Sequence, residues 1–253
     1  MHLMPSAWRR TADVDPPYAD YRRAAEGSQR LTGWPWFAKR LGDLTLGSIL
    51  LVVLSPVMAA VAGAIKLDSA GPVLFRHRRV GGRRIVETDG SVVWEASTFE
   101  ILKFRSMYTD TDDDAHRQYI QAFIEGTTAA DQGSSDTYKL EADPRVTRVG
   151  HWIRKTSLDE LPQLINVIKG DMSLVGPRPV PTYEVDEYTE AQMERLHAIP
   201  GMTGLWQVRG RGKVSFEEMV RMDIWYTRNR TMWLDFKLLA STLPAVLSMR
   251  GAE

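Results

Sequence analysis

One uncharged apolar run dominates the pattern of hydrophobic and polar positions. No charged residue occurs between Leu44 and Ile65, and Ser55 and Pro56 interrupt the run near its middle. A straight helix of this length reaches about 33 Å, which is enough to cross a bilayer. A proline inside a helix removes one backbone hydrogen bond and bends the helix. The pattern therefore predicts a membrane helix that either crosses the bilayer or turns back at Ser55 and Pro56.

The charges that flank this run favour a helix that turns back. Lys39 and Arg40 precede the run, and Lys66 follows it. A spanning helix usually carries its cations on one side of the membrane. A hairpin that enters and leaves through the same face would carry them at both ends. We therefore predict a re-entrant membrane helix over residues 34–68.

The remaining pattern divides the chain into three parts. Residues 1–33 are polar, contain prolines and lack periodicity, which is typical of a loosely ordered leader. The membrane element at 34–68 ends in a turn-forming cluster, Asp-Ser-Ala-Gly-Pro. Residues 69–253 are expected to form one domain, since their number suits a domain of moderate size.

The domain pattern predicts an α+β fold that is mostly helical. Alternation over residues 99–106 predicts a strand with Lys103 and Arg105 on the same face. Helices are expected over 143–155, 157–169, 184–197, 216–228 and 233–249. The helix at 184–197 is acidic and predicted to be exposed. The last helix is apolar with few charges, which favours an amphipathic helix lying along the membrane surface.

Composition narrows the function classes. The chain carries 32 basic and 32 acidic residues, so its net charge does not point to a nucleic-acid partner. It contains no cysteine, which excludes disulfides and cysteine-based metal sites or nucleophiles. The stretch RHRRVGGRR at 76–84 follows the apolar run and is predicted to be a basic loop. Its position favours contact with the anionic headgroups of inner-membrane lipids.

Two adjacent acids, Asp159 and Glu160, form the most informative polar pair. Ser157 followed by Glu160 matches a capping box, and Asp159 is an alternative N-cap because it places Pro162 among amides that lack helical partners. In either register both acids lie in the first turn of a helix, where the macrodipole favours ionised carboxylates. Such a pair suits a nucleophile and a ligand for a hard metal. It does not suit a glycosidase pair, because neighbouring residues cannot flank a sugar bond from opposite faces. A plain helix start is the structural alternative.

Gly176-Pro177-Arg178-Pro179 predicts a phosphate contact. The flanking prolines restrict the backbone and hold Arg178 in a fixed direction, which suits bidentate binding of phosphate. A surface turn is the alternative for this motif alone. Further cations occur in loops or at the ends of elements, and together they favour an anion-binding site: Lys103, Arg105, Arg154, Arg209 and Arg211.

Several longer motifs resemble one protein family. The chain is similar to bacterial polyprenyl-phosphate sugar-1-phosphate transferases, the monotopic phosphoglycosyl transferases that start exopolysaccharide or O-antigen synthesis. The similarity runs from residue 37 nearly to the C-terminus, through FAKRLGDLTLGSILLVVLSPVMAAVAGAIKLDSAGPVLFRHRRVG, FEILKFRSM, DPRVTRVGHWIRKTSLDELPQLINVIKGDMSLVGPRPV, IPGMTGLWQVRGRG and FEEMVRMDIWYTRNRTMWLDFKLLASTLPAVL.

The resemblance implies a role for each carboxylate of the pair. Asp159 would attack the sugar-bearing phosphate of a UDP-sugar, expel UMP and hold the sugar phosphate as an acyl phosphate. Polyprenyl (undecaprenyl) phosphate would then attack this intermediate. Glu160 would hold Mg²⁺. Residues 69–253 would accordingly be the catalytic domain, lying on the cytoplasmic face of the bacterial inner membrane.

The resemblance also implies roles for residues outside the pair. Arg178 would bind phosphate, and Arg154 and Arg211 would add positive charge. Lys103 and Asp235 match further polar site positions. The break in the membrane helix would lie at Ser55 and Pro56, the pair that the hydrophobic pattern singled out.

Two other functions were compatible with parts of the sequence. A spanning anchor followed by a non-catalytic interaction domain would explain the apolar run, but not the acids and the Gly-Pro-Arg-Pro motif together. A membrane-associated nucleotide-sugar hydrolase would use the same polar residues, but it has no need of a re-entrant element.

Overall fold

The computed structural model describes residues 22–24, 34–108, 120–122, 124, 144–209 and 214–247. Its helices include α1 (Trp34–Asp68), α2 (Arg148–Lys155), α3 (Gln163–Lys169), α4 (Thr182–Val185), α5 (Leu205–Arg209), α6 (Phe216–Asn229) and α7 (Met232–Leu247). The strands are β1 (Arg22–Ala24), β2 (Leu74–Val86), β3 (Val92–Phe104), β4 (Ser173–Val175), β5 (Val180–Pro181) and β6 (Gly201–Thr203). Short 3₁₀ turns occur at Leu158–Glu160 and Gln192–Leu196. The predicted fold class, mixed and mostly helical, is confirmed.

Helix α1 covers the residues predicted to lie in the membrane. Its segment Pro35–Asp68 is long and apolar enough, by length and composition, to cross a bilayer. Only 11% of its most apolar window is buried, whereas a core helix of a soluble protein would be mostly buried. Val52 and Val53 are 72% and 64% exposed. The hairpin and the surface-lying helices remain predictions.

In the middle of α1, the side chain of Ser55 replaces the hydrogen bond that the missing amide of Pro56 cannot make. Pro56 has no N–H to donate to the carbonyl of Val52, four residues earlier. The hydroxyl of Ser55 donates to that carbonyl at 2.7 Å. In a bilayer an unsatisfied carbonyl costs several kcal/mol, so the serine makes the proline tolerable there.

The first half of α1 is fixed to the domain by polar contacts. Arg40 donates to the carbonyls of Val167 and Ile168 at 2.7 and 2.9 Å, in the last turn of α3. A cation there also interacts favourably with the helix dipole. Asp43 accepts a hydrogen bond from the amide of Leu174 at 3.2 Å. These contacts bind α1 to both α3 and β4.

The second half of α1 contacts the same domain. Ile65 packs in a buried cluster with Phe104 of β3 and Ile153 of α2. Asp68 accepts a hydrogen bond from the amide of Val149 at 3.1 Å, in the first turn of α2. Both halves of α1 are thus attached to one body.

A long hairpin supplies most of the sheet. Strands β2 and β3 pair antiparallel from Leu74 opposite Phe104 to Val86 opposite Val92. The strand order is β1-β3-β2-β5, and β4 pairs separately with β6 in parallel. The prediction of a loop over 76–84 was wrong, because pairing with β3 satisfies the backbone while several arginine side chains project to solvent.

Most of the predicted helices are present, but several begin or end at other residues than predicted. Helix α6 covers the predicted 216–228, and α7 covers most of 233–249. Helix α2 begins only at Arg148, where Thr147 accepts a hydrogen bond from the amide of Gly150 as N-cap. The exposed helix predicted at 184–197 is wrong: α4 and a 3₁₀ turn replace it, and several of its side chains are buried.

One reason for that error is a buried charge network, here called the Arg195 cluster: Arg195, Glu184, Asp223 and Tyr188. Arg195 is fully buried and donates to Asp223 at 2.5 Å, and it lies 3.4 Å from Glu184. It also donates to the hydroxyl of Tyr188. Burial raises the pKa of Tyr188 well above its usual value, which keeps the phenol neutral. The partners of Arg195 come from α4, α6 and the segment between α4 and the second 3₁₀ turn.

Candidate active site

Asp159 and Glu160 lie in the 3₁₀ turn between α2 and α3. The predicted continuous helix over 157–169 is wrong, since this turn precedes α3 and Pro162 is the N-cap residue of α3. A proline there loses no helical hydrogen bond. The capping box is also wrong, because the side chain of Ser157 makes no cap hydrogen bond.

The backbone just before the acids is strained. Ser157 has a φ of 56°, and among the described residues it is the one non-glycine with positive φ. Such a residue costs of order 1 kcal/mol or more, and strain of this kind occurs at functional sites. It turns the chain sharply after α2, so that Asp159 and Glu160 emerge on the side of β3.

Lys103 joins the two acids. Its ammonium donates to Glu160 at 2.7 Å and lies 3.8 Å from Asp159. The three side chains are between 13% and 24% exposed, so this group is accessible from the surface. Lys103 is the second-to-last residue of β3, and the strand therefore fixes its direction.

Arg178 reaches the same group from another element. Its guanidinium lies 3.7 Å from Glu160. It follows Gly176, whose amide donates to the carbonyl of Thr203 at 2.9 Å. A Cβ on Gly176 would collide with the carbonyl of Ile199, so only glycine allows this close approach. The structure thus brings Lys103, Glu160 and Arg178 together, with Asp159 beside them.

Two other predicted site residues lie nearby or outside the described part. Arg154 is in the last turn of α2, three residues before Ser157, and its side chain is half-buried. Arg211 falls among residues 210–213, outside the described ranges.

Arg105 contacts a different part of the molecule. It lies just after β3, and its guanidinium binds the end of α1 instead of the acids. It donates to the carbonyls of Ser69 and Ala70 at 2.7 and 2.5 Å, and to the hydroxyl of Ser69 at 2.9 Å. Arg105 and Lys103 therefore bind different partners, and the predicted role of Arg105 at the acids stays a prediction.

Asp235 belongs to a different group. It accepts hydrogen bonds from Lys39 at 2.6 Å and from Tyr226 at 2.7 Å. Lys39 also lies 3.6 Å from Asp43. Burial raises the pKa of the Asp235 carboxyl, although Lys39 opposes this shift. Lys39, Asp43 and Asp235 line a mainly apolar cavity of about 360 Å³ between α1 and α7.

Sequence reasoning missed two residues at the site. Arg79 and Gln163 line the same cavity as Glu160, Lys103 and Arg178, here called the Glu160 cavity. Arg79 had been counted only as part of the basic stretch beside the membrane. Gln163 follows Glu160 by three residues. This spacing places two side chains on the same side of a helix, and it was the signal in the sequence that could have linked Gln163 to Glu160.

The donor set suits a metal that is bound together with substrate. Among the described residues, no three His, Asp or Glu side chains are arranged to hold a metal ion. Two neighbouring carboxylates are nevertheless the usual protein contribution to a Mg²⁺ site that also uses phosphate oxygens and water. Glu160, the less buried of the two acids, could supply such a carboxylate and leave Asp159 free for another role.

Comparisons with known proteins agree on one family. The profile described as "Bacterial sugar transferase" matches residues 34–249. The exopolysaccharide production protein ExoY of Sinorhizobium fredii is 39% identical over 215 residues, covering 85% of this chain and 88% of that protein. The undecaprenyl-phosphate galactose phosphotransferase of Salmonella typhimurium is 39% identical over 216 residues, covering 85% and 42%. The undecaprenyl-phosphate glucose phosphotransferase of Komagataeibacter xylinus is 40% identical over 234 residues, covering 88% and 38%. The chain spans about two fifths of these two phosphotransferases.

Proposed function

The chain belongs to the bacterial sugar transferase family, and we propose that it transfers a sugar-1-phosphate from a UDP-sugar to polyprenyl (undecaprenyl) phosphate and releases UMP. This reaction would be the first membrane step in the synthesis of an exopolysaccharide or a related glycan. The similarity to ExoY and to the two undecaprenyl-phosphate phosphotransferases supports the reaction class.

The observation that carries the proposal is a carboxylate pair surrounded by cations. Asp159 and Glu160 share one turn, Lys103 contacts both, and Arg178 lies 3.7 Å from Glu160. A diphosphate needs such cations, because its negative charge must be balanced while a phosphorus atom accepts a nucleophile. A pair of acids without cations would repel the substrate.

The first step forms a covalent bond to Asp159. A carboxylate oxygen of Asp159 attacks the sugar-bearing phosphorus, and the bond from this phosphorus to the bridging oxygen breaks. The electron pair leaves with UMP, and the sugar phosphate stays on Asp159 as an acyl phosphate. Lys103 holds the carboxylate in place, and Arg178 balances charge on the phosphate oxygens.

The second step transfers the sugar phosphate to lipid. A phosphate oxygen of polyprenyl phosphate attacks the same phosphorus, and the bond to Asp159 breaks. The products are a polyprenyl diphosphate sugar and the free carboxylate. Glu160, together with phosphate oxygens, would hold Mg²⁺, which supplies positive charge for the departing oxygen.

The attachment of α1 supports a re-entrant arrangement. Its first half contacts α3 and β4, and its second half contacts β3 and α2. One body attached to both halves is difficult to reconcile with a helix whose ends lie on opposite sides of a membrane. Ser55 and Pro56 lie between these halves, where a proline inside the helix favours a bend. We propose that the domain lies on the cytoplasmic face of the inner membrane, where UDP-sugars are made.

The reaction is tested by following UMP. Purified protein in detergent is incubated with Mg²⁺ and each of several UDP-sugars, and UMP release is measured with and without polyprenyl phosphate. One UDP-sugar should give UMP and a lipid-linked product, and Asp159→Asn should lower turnover on the order of 10⁴-fold or more. Asp89→Asn, in the exposed hairpin turn, is the matched control. Sustained turnover by Asp159→Asn would remove this residue as the nucleophile, and free sugar phosphate without lipid product would identify a hydrolase.

The topology is tested separately by cysteine labelling. The natural chain has no cysteine, so single cysteines at position 28 and at Ala70 report without background. Both positions should react with an impermeant maleimide only when the cytoplasmic face is accessible. Labelling from opposite faces would contradict the re-entrant arrangement and favour a spanning anchor.

A further inference from the structure

The Glu160 cavity contains two polar residues that the proposed reaction does not yet use. Arg79 comes from β2 and Gln163 from the start of α3, and both line the cavity with Glu160. One is a cation and the other is a neutral amide. The cavity itself is small, about 10 Å³, so a phosphate or hydroxyl group of a substrate placed at its mouth would meet both.

The sheet determines where Arg79 lies. Strand β5 pairs with β2 so that Arg79 is opposite Pro181, three residues after Arg178. On the same strand, Gly81 packs against Pro200, because a Cβ at Gly81 would meet that ring. The backbone of β2 is therefore held on two sides, and Arg79 is held beside the loop that carries Arg178.

Arg79 and Lys103 share one face of the β2–β3 hairpin. Arg79 is paired with Phe99, and residues 99, 101 and 103 alternate onto the same face. Four strand positions separate the two levels, or about 13 Å along the strand. Long side chains from both ends therefore converge on one cavity. Two cations that meet at one cavity suit an anion that carries more than one phosphate charge.

Gln163 provides a second, independent indication of a ligand. It is 2% exposed, and its side-chain amide makes no hydrogen bond with any described residue. The amide can both donate and accept hydrogen bonds, and the cavity is the space that it faces. Since Gln163 lines the Glu160 cavity, a polar group of a bound ligand would provide the missing partner.

We propose that Arg79 and Gln163 complete the binding site for the sugar nucleotide. Arg79 binds the phosphate that leaves with the nucleotide, and Gln163 hydrogen-bonds to a hydroxyl group of the transferred sugar. This assignment rests on the proposed function, which it deepens by assigning the leaving phosphate and the sugar to residues on two different elements beside the Glu160 cavity. A guanidinium suits the doubly charged phosphate of UMP, whereas an amide both donates to and accepts from a hydroxyl.

The role of Arg79 is tested by the binding of UMP alone. Titration of UMP into the full-length protein in detergent, with Mg²⁺, should give a Kd that Arg79→Met raises about 10- to 100-fold, as expected for loss of a charge-assisted contact. Arg79→Lys should restore part of the affinity. The matched control is Arg78→Met, which removes the same charge from the neighbouring exposed position on the other face of β2. Equal weakening by the two methionine variants would overturn the assignment, since it would reflect only general basic charge.

The role of Gln163 is tested by separating nucleotide from sugar. Gln163→Met keeps an unbranched side chain, and it should lower kcat/KM for the accepted UDP-sugar about tenfold while the Kd of UMP changes less than twofold. A parallel loss of UMP affinity would assign Gln163 to the fold or to the nucleotide instead. Thermal melting of each variant identifies any loss of folding.

These measurements keep this proposal distinct from the proposed function. If no UDP-sugar is turned over but UMP binds and Arg79→Met weakens it, the transferase reaction fails and the nucleotide site stands. If turnover and lipid product are observed but Arg79→Met leaves the Kd of UMP unchanged, the reaction stands and the role of Arg79 is wrong.

Discussion

The candidate active site and the Arg195 cluster are made from the same kinds of side chain, but they differ in access to solvent. At the active site, the side chains of Lys103, Asp159 and Glu160 are 13–24% exposed. In the Arg195 cluster, Arg195 and Asp223 are 0% and 1% exposed. The first group can exchange partners with a charged ligand. The second has no route to one.

We expect this difference to separate charges that serve the proposed reaction from charges that stabilise the fold. A buried ion pair is strongly destabilised when one partner is removed, because the other charge is left without water or a counterion. Removal of one partner from a pair at a cavity surface destabilises the protein less, because water solvates the remaining charge. Four variants, ordered by expected effect, test how far this distinction holds.

The largest effect is expected in the Arg195 cluster. Arg195→Met leaves Glu184 and Asp223 buried without their cation, and the free energy of unfolding should fall by about 3–5 kcal/mol. Urea unfolding in detergent measures the loss. Arg228→Met is the control, because this arginine pairs with Glu194 but is 64% exposed. Similar losses of unfolding free energy for the two variants would show that burial does not distinguish these ion pairs.

Lys103→Met should affect catalysis instead of folding. Removal of the ammonium that contacts Asp159 and Glu160 should lower UMP release roughly 100-fold, which corresponds to about 2.7 kcal/mol of transition-state stabilisation. Its midpoint in urea should stay close to that of the natural protein. Full activity would place Lys103 among the structural charges.

Asp235→Asn tests the buried group of Asp235, Lys39 and Tyr226, for which we expect an intermediate loss of stability. Replacement of the carboxyl that accepts hydrogen bonds from Lys39 and Tyr226 should destabilise the protein by about 1–2 kcal/mol at low pH, where this carboxyl is protonated, and leave UMP release within about twofold. Because burial raises the pKa of Asp235, the natural protein loses stability as pH rises through that raised pKa. The difference between natural protein and variant should therefore shrink as pH rises. Urea unfolding at several pH values measures this trend, and a widening difference would contradict it.

The smallest effect is expected for an exposed pair. Arg76 and Glu100 lie 3.4 Å apart across the hairpin, with side chains 68% and 53% exposed. Arg76→Ala should change the free energy of unfolding by less than about 0.5 kcal/mol. A larger loss in urea unfolding would mean that exposure alone does not rank these pairs.

Local pattern was sufficient for several features of the molecule. The uncharged run predicted α1, because helix length and apolarity are properties of consecutive residues. The adjacent acids and the Gly-Pro-Arg-Pro loop were found for the same reason, and the structure brings Glu160 and Arg178 within 3.7 Å.

Features that depend on distant pairing were not predictable. Asp235 meets Lys39 across 196 residues, so its separation from the acids is visible only in the fold. Arg79 reaches the Glu160 cavity through pairing with Pro181, which no local pattern encodes. The buried state of Arg195 likewise depends on partners from other elements.

Arg105 fixes the end of α1 relative to the strand that carries Lys103. It holds the end of α1 through Ser69 and Ala70, and it lies two residues from Lys103 on the same chain segment. Movement of the helix end relative to Lys103 would break these hydrogen bonds. In the proposed membrane arrangement, the height of Asp159 and Glu160 above the lipid would therefore be set by the protein. A thicker or thinner bilayer would tilt the whole body or deform the nearby leaflet before it stretched the site.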